Sequence, residues 1–254
     1  MAAARIRLLT TNYWIDTAST VTASSAASGL PATYTQNFQR TAVWRSTAEA
    51  NPWIKVDLGS SRSFSSVAIA NFAVVSGTLA SLKLQWSSDG STGWTDIGVI
   101  GASDAESLVA AMFFGTLSKR YVRILATPTS GNIQIEIGFI HLGPYTEPSI
   151  NITVPQDLQL PDPGIVTRAV DGQRTATART LRMSGEWSFD NAPEADALAL
   201  RTIQRALGVR VPHFVVLDSA VSWTAWMLFL NGSYKQTLAD RPGRYHVRMG
   251  WEEA

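Results

Sequence analysis

The stretch Trp53-Ile54-Lys55-Val56-Asp57-Leu58-Gly59 decides how this chain is read. Trp53, Val56 and Leu58 are large and apolar and seat a strand in a sheet core. Gly59, free to adopt positive φ, releases that strand into a turn. The same pattern continues outward. Residues 67–71 are short and apolar. Leu82, Leu84 and Trp86 alternate with polar neighbours and share one face. Ser88-Asp89-Gly90-Ser91 is a turn signal. Residues 94–100, 110–114, 121–125 and 133–142 read as further strands. In the last of these, Ile133, Ile135, Ile137 and Phe139 alternate with Asn132, Gln134, Glu136 and Gly138. Many short strands between turns predict a sandwich or barrel, with no helix in this half.

A boundary is expected where the chain fills with proline. Pro144, Pro148, Pro155, Pro161 and Pro163 fall within residues 143–164. Such a run cannot form a helix interior or a central strand. Domains are therefore expected at 1–145 and 165–254, joined by a Pro-rich linker at 146–164. The second domain reads as a smaller, β-rich α+β unit with one helix at about 191–207. Asn191-Ala-Pro-Glu194 offers a capping residue, an early proline and a glutamate able to bond back. Leu200, Ile203 and Leu207 then recur at helical spacing, and Gly208 is the C-terminal stop. Strands are expected at 166–170, 176–186, 211–216, 223–230 and 245–251, with Asn231-Gly232 as a tight hairpin.

Composition narrows the function. The 254 residues contain no cysteine and three widely spaced histidines, His141, His213 and His246. Disulfides, thiolate metal sites and cysteine nucleophiles are excluded. The net charge of +1 is evenly spread and does not suit a nucleic-acid binder. No apolar run reaches the roughly 20 residues of a membrane-spanning helix. A phosphate-binding glycine loop, an HExxH motif and a GxSxG elbow are all missing. The expectation is a non-enzymatic protein with no cofactor and no metal, and with no nucleic-acid or membrane-inserted partner.

Several segments occur in a telling order: Trp44-Arg45-Ser46, then 53–59, then Leu84-Gln-Trp-Ser-Ser-Asp-Gly90 with Trp94, then Arg120-Tyr-Val-Arg-Ile124, then 135–142. Over about residues 10–142 this order resembles the discoidin, or coagulation factor 5/8 type C, family of galactose-binding-like domains. The resemblance implies a mostly β chain whose first half is a β-jelly-roll sandwich with neighbouring termini. It implies binding of glycans, phospholipid headgroups or protein surfaces through loops at one end. Those loops would be 37–43, 73–78 and 127–132, and the ligand-binding candidates are Phe38, Arg40, Arg45 and Asn132. Relatives often carry an acidic residue before the first Trp motif as part of a calcium site. Here that loop holds Arg40 and no carboxylate, so no calcium site is expected there. Trp44, Trp53, Trp86 and Trp94 are expected to pack the sheets, with each ring N–H needing a partner. Trp14 has no assigned place.

The second half resembles small β-rich domains of tailed-bacteriophage tail-tip and baseplate proteins. The residues that carry this are Gly185-Glu-Trp-Ser-Phe189, the helix ending at Leu207, the region of Asn231-Gly232 and the ending at 244–252. This second resemblance implies a virion structural protein of the phage tail, assembled in the host cytoplasm. Its partners would be other tail proteins, copies of itself in a ring or trimer, and host-surface glycans. Trp223 and Trp226, on opposite strand faces, and the basic pair Arg179 and Arg182 are the interface candidates. The alternative is a stand-alone, lectin-like carbohydrate-binding module.

Overall fold

The computed structural model describes residues 5–39, 41–101, 109–153, 157–159, 165–168, 174–177, 183–217 and 225–253. Arg40, Arg179, Arg182 and Trp223 lie outside these residues, as does the side chain of Trp226. The chain divides into two compact units, Met1–Glu147 with Phe214–Met227, and Pro148–His213 with Leu228–Ala254.

The first unit is a sandwich. Its larger sheet is built on β4 (Trp53–Ala70) and β8 (Val109–Pro128), paired antiparallel along almost their whole length. β2 (Thr20–Ala23) and β10 (Phe139–Gly143) flank β4, while β6 (Leu79–Ser87) and then β7 (Thr95–Val99) extend the sheet beyond β8. The smaller sheet has the order β3 (Trp44–Arg45), β9 (Gln134–Ile137), β5 (Ala73–Ser76). Strand alternation sends Ile54, Val56, Leu82, Leu84, Val122 and Ile124 inward from one sheet. They meet Trp44, Ile135 and Ile137 from the other in one buried cluster. A 3-10 helix, Ala32–Gln36, precedes β3, in a half where no helix was expected.

Two expected turns are bulges instead. β4 runs straight through Gly59, whose φ of +72 coincides with a register shift between Asp57 and Arg62. The residues read as separate strands at 53–58 and 67–71 are therefore one bent strand, and 110–114 and 121–125 likewise merge into β8. A bulge lets a long strand change direction without ending its ladder. Conversely, the run 133–142 breaks at Gly138 into β9 and β10, where an added Cβ would meet Asn71 at 2.8 Å.

The tryptophans sort differently from expectation. Trp14 and Trp44 are completely buried, and their indole N–H groups donate to Thr35 Oγ1 (3.0 Å) and the Ser25 carbonyl (2.9 Å). Trp53, Trp86 and Trp94 keep part of their surface in solvent and lie under the cations of Lys55, Lys119 and Arg123. Near the ends of this unit, β1 (Arg7–Leu9) pairs with residues 214–216 of β15 (His213–Val216). Leu8 also exchanges backbone hydrogen bonds of 2.9 and 2.8 Å with Thr146. Arg7 stacks over Phe113 and Tyr145 and is bonded to Glu147 at 2.7 Å.

In the second unit, residues 228–238 of β16 (Ala225–Leu238) pair with β17 (Arg244–Glu253). β17 pairs with β14 (Ser184–Pro193), and β14 with β11 (Asp157–Gln159), a strand inside the run read as a linker. β12 (Ile165–Arg168) and β13 (Arg174–Thr177) form a separate pair. Asn231-Gly232 does not make a hairpin. β16 continues through it, and the register shifts between Leu230 and Tyr234. The helix α1 (Glu194–Leu207) buries Ala197, Leu200, Ile203 and Leu207. It starts three residues later than the capping signal suggests. Asn191 sits at φ +59 in a bulge of β14 and makes no cap, whereas Gly208 ends the helix with its N–H on the Gln204 carbonyl. Trp187 and Trp251 are buried and stacked at 5.5 Å.

Two stability measurements test this packing. Gly90 has φ +74, and a Cβ there would meet the Tyr121 ring at 2.6 Å. Gly90→Ala should therefore cost about 2–4 kcal/mol in urea denaturation, from backbone strain and overpacking. His213 is wholly buried with neither ring nitrogen hydrogen-bonded among the described residues, and burial pushes its pKa from 6.5 down to about 4. The unfolded chain thus binds the proton more readily. This contribution is fully present above pH 6.5 and is lost as pH falls toward 4, a change of about 3 kcal/mol. His213→Phe should flatten that part of the stability–pH curve.

Candidate functional site

The smaller sheet of the first unit positions the polar residues that could meet a ligand. Arg45 on β3 stands directly opposite Glu136 on β9, and Glu136 opposite Ala73 on β5. Trp44 and Ile137, the adjoining pair, point into the core, so Arg45 and Glu136 point outward. The Arg45 guanidinium bonds the Glu136 carboxylate through both Nε and a terminal nitrogen. Beside them, Gln134 donates to the Ser46 carbonyl at 2.8 Å. The buried Ser46 hydroxyl accepts the Ile135 N–H at 3.1 Å. These bonds fix the end of β3 against β9 and hold the ion pair in register.

Asn132 lies two residues before β9, in the connection from β8. It is exposed and lies four residues before Glu136 in the chain. Its backbone is held by a close approach. Gly77, at φ +82, lies where a Cβ would come within 2.6 Å of the Asn132 carbonyl. Thr129 N–H also bonds the Thr78 carbonyl at 2.9 Å. On the other side, Glu49 accepts hydroxyl bonds from Ser24 (2.6 Å) and Ser25 (2.5 Å) and bridges to Ile133. Several chain segments are thus tied together at one end of the sandwich. Phe38, 43% exposed, lies in the connection between the 3-10 helix and β3. Of the residues singled out from sequence, Arg45 therefore lies on the outer sheet face, and Asn132 in the connection just before β9. Residues 73–78, expected as a binding loop, begin instead with strand β5. Glu136 was not singled out. Its outward parity was readable, but its pairing with Arg45 depends on a register between strands 91 residues apart.

A second polar array crosses the outer face of the larger sheet, and its groups satisfy one another. Arg123 stacks on Trp94 at 4.2 Å and donates to Gln85 at 2.7 Å. Gln85 and Lys83 both donate to Asp96. The hydrogen bond from Gln85, with that from Lys83, holds the Asp96 carboxyl below its usual range. Asp57 is similarly lowered by its two hydrogen bonds from Arg120, at 2.7 and 2.9 Å. Asp89 is lowered by bonds from Thr92, Ser91 and Ser87 that close the turn after β6. These carboxylates serve structure, in turns and cross-strand pairs. Among the described residues no group of three or more His, Cys, Asp or Glu side chains is placed to hold a metal ion. Nor, among them, is any helix long and apolar enough to cross a membrane.

Comparison with known proteins gives one family match and a set of similar solved structures. The family described as the NedA-like, galactose-binding domain matches residues 34–124. Similar solved structures include chitosan-binding module 1 of a chitosanase/glucanase from Paenibacillus sp. IK-5. It is 25% identical, with 52% of this chain and 98% of that one covered and a TM-score of 0.42. Another is the family 32 carbohydrate-binding module of Clostridium perfringens NanJ in complex with galactose. It is 18% identical, with 56% and 99% covered and a TM-score of 0.41. No curated protein matches the chain. Residues 34–124, which run from the 3-10 helix into β8, thus match the model of an F5/8 type C-like galactose-binding family, within a mostly β chain.

Proposed function

We propose that the first unit is a non-catalytic carbohydrate-binding module that takes a glycan on the outer face of β3, β9 and β5. The observation that carries this is the outward Arg45–Glu136 pair, with Gln134 beside it on β9 and Asn132 just before that strand. A guanidinium fork and a carboxylate, each fixed by the other, offer rigid planar donors and acceptors to adjacent sugar hydroxyls. Asn132 adds an exposed amide. The match of residues 34–124 to a galactose-binding family supports the same reading. In its finer form, the module belongs to a structural component of a bacteriophage tail. That part rests on the resemblance of the second half to tail-tip and baseplate domains. The stand-alone module is its alternative.

A glycan array followed by calorimetry on the full chain tests the binding. Arg45→Ala should weaken the best glycan by about tenfold or more. Because the pair is partly exposed, the same change should cost under about 1 kcal/mol of stability. Silence across the array, or full binding by Arg45→Ala, would remove this site. For the tail assignment, mass spectrometry of purified particles from the source should find this chain as a stoichiometric component. Its absence from the particles leaves the stand-alone module.

A further inference from the structure

In the second unit, β17 lies between β14 and β16, and its residues alternate between two faces. Val247, Met249 and Trp251 are buried. Tyr234, paired with Met249, reaches the Ala197 carbonyl of α1, so that face is the one the helix covers. The opposite face carries His246 and Arg248 on β17, Lys235 and Thr237 on β16, and Asp190 on β14. These five residues line a pocket of about 320 Å3.

The register in this pocket works against the stability of the bare sheet. Lys235 stands directly opposite Arg248, and Thr237 directly opposite His246. Like charges in direct cross-strand register repel. The nearby carboxylates do not resolve the conflict. Asp190 is engaged by His246 Nδ1 at 2.9 Å, and this contact, with a hydrogen bond from Thr153, lowers its pKa. Glu186 reaches Arg248 only at 3.7 Å. Lys235 makes no ion pair among the described residues. It is also the sole lysine of the second half, which otherwise uses arginine.

We propose that this face is a binding site for a small tetrahedral oxyanion, phosphate or sulfate. Lys235 supplies a mobile point charge and Arg248 a planar fork able to bond two oxygens of one anion. The Thr237 hydroxyl is a neutral donor between them and the imidazole. Asp190, itself at the pocket wall, holds that imidazole in place through Nδ1. A bound anion turns the Lys235–Arg248 repulsion into two attractions, which gives the register a purpose that folding alone does not.

The test uses the full chain, titrated with sodium phosphate and sodium sulfate against sodium chloride at matched ionic strength, by calorimetry and thermal melting. Saturable binding and a raised Tm are expected with the oxyanions only. Lys235→Gln and Arg248→Gln should each weaken binding about tenfold or more, and Arg248→Lys by less, because it keeps the charge and loses the fork. Without anion, Lys235→Gln should melt no lower than the parent, since it removes a repulsion. Glucose 6-phosphate beside glucose separates a carried ester from the free ion. Binding of the ester at least as tight as inorganic phosphate assigns the site to a sugar phosphate, and exclusion of the ester assigns it to the ion. No saturation beyond the chloride control overturns the proposal, as does equal binding by all three variants. Neither result bears on the glycan reading, which is tested at Arg45.

Discussion

The antiparallel ladder between β4 and β8 is the constraint on which the first unit depends. Its register sends Ile54, Val56, Val122 and Ile124 to the core and leaves Lys55, Asp57, Arg123 and Tyr121 outside. A slip of one residue would exchange those two sets. Unpaired charges would then sit in an apolar interior, at a cost of many kcal/mol. The outer residues also enforce the register through cross-sheet partners. Arg120 grips Asp57, and Arg123 reaches Gln85 on β6. Once this ladder is set, the smaller sheet has one apolar surface to cover. Trp44, Ile135 and Ile137 cover it, and the same alternation turns Arg45 and Glu136 toward solvent. The candidate site is thus a consequence of how the core is filled.

Without cysteine, both units rely on packing and on satisfied polar groups. In the first unit the buried indoles are bonded. Trp14 ties the start of the chain to Thr35, and Trp44 ties β3 to the Ser25 segment. The second unit is less well satisfied. The ring N–H groups of Trp187 and Trp251 find no acceptor among the described residues, nor do the nitrogens of His213. Each buried donor left this way costs about 1–3 kcal/mol. The stacked indoles and the apolar face of α1 must offset that through buried area.

The β character of the first half was legible because its strands alternate cleanly. Leu82, Leu84, Ile133, Ile135 and Ile137 all point inward, and Gly90 takes the positive φ its turn signal implied. What misled was local chemistry that serves more than one backbone form. Gly59 and Asn231-Gly232 both supply conformations that a turn needs, and a bulge needs them too. Only the partner strand decides between the two. Asn191 had the composition of a cap but took a left-handed bulge, leaving Pro193 at the cap position and Glu194 to begin the helix. Trp53, Trp86 and Trp94 read as core because size and hydrophobicity do not reveal which face a ring lies on. In the fold they are half-covered platforms for cations. For the site, Arg45 and Asn132 were reachable from motif order. Glu136 needed a pairing that closes a loop of 91 residues, which no local pattern encodes.

The exchange of backbone bonds between Leu8 and Thr146 has a mechanical meaning. It brings the start and end of the jelly-roll segment within one hydrogen-bond spacing, reinforced by Arg7 and Glu147 next to them. A pull applied through those two points meets this short clasp before it reaches the long β4–β8 ladder. Ends that lie this close let a compact segment sit inside a longer chain with little separation between its entry and its exit.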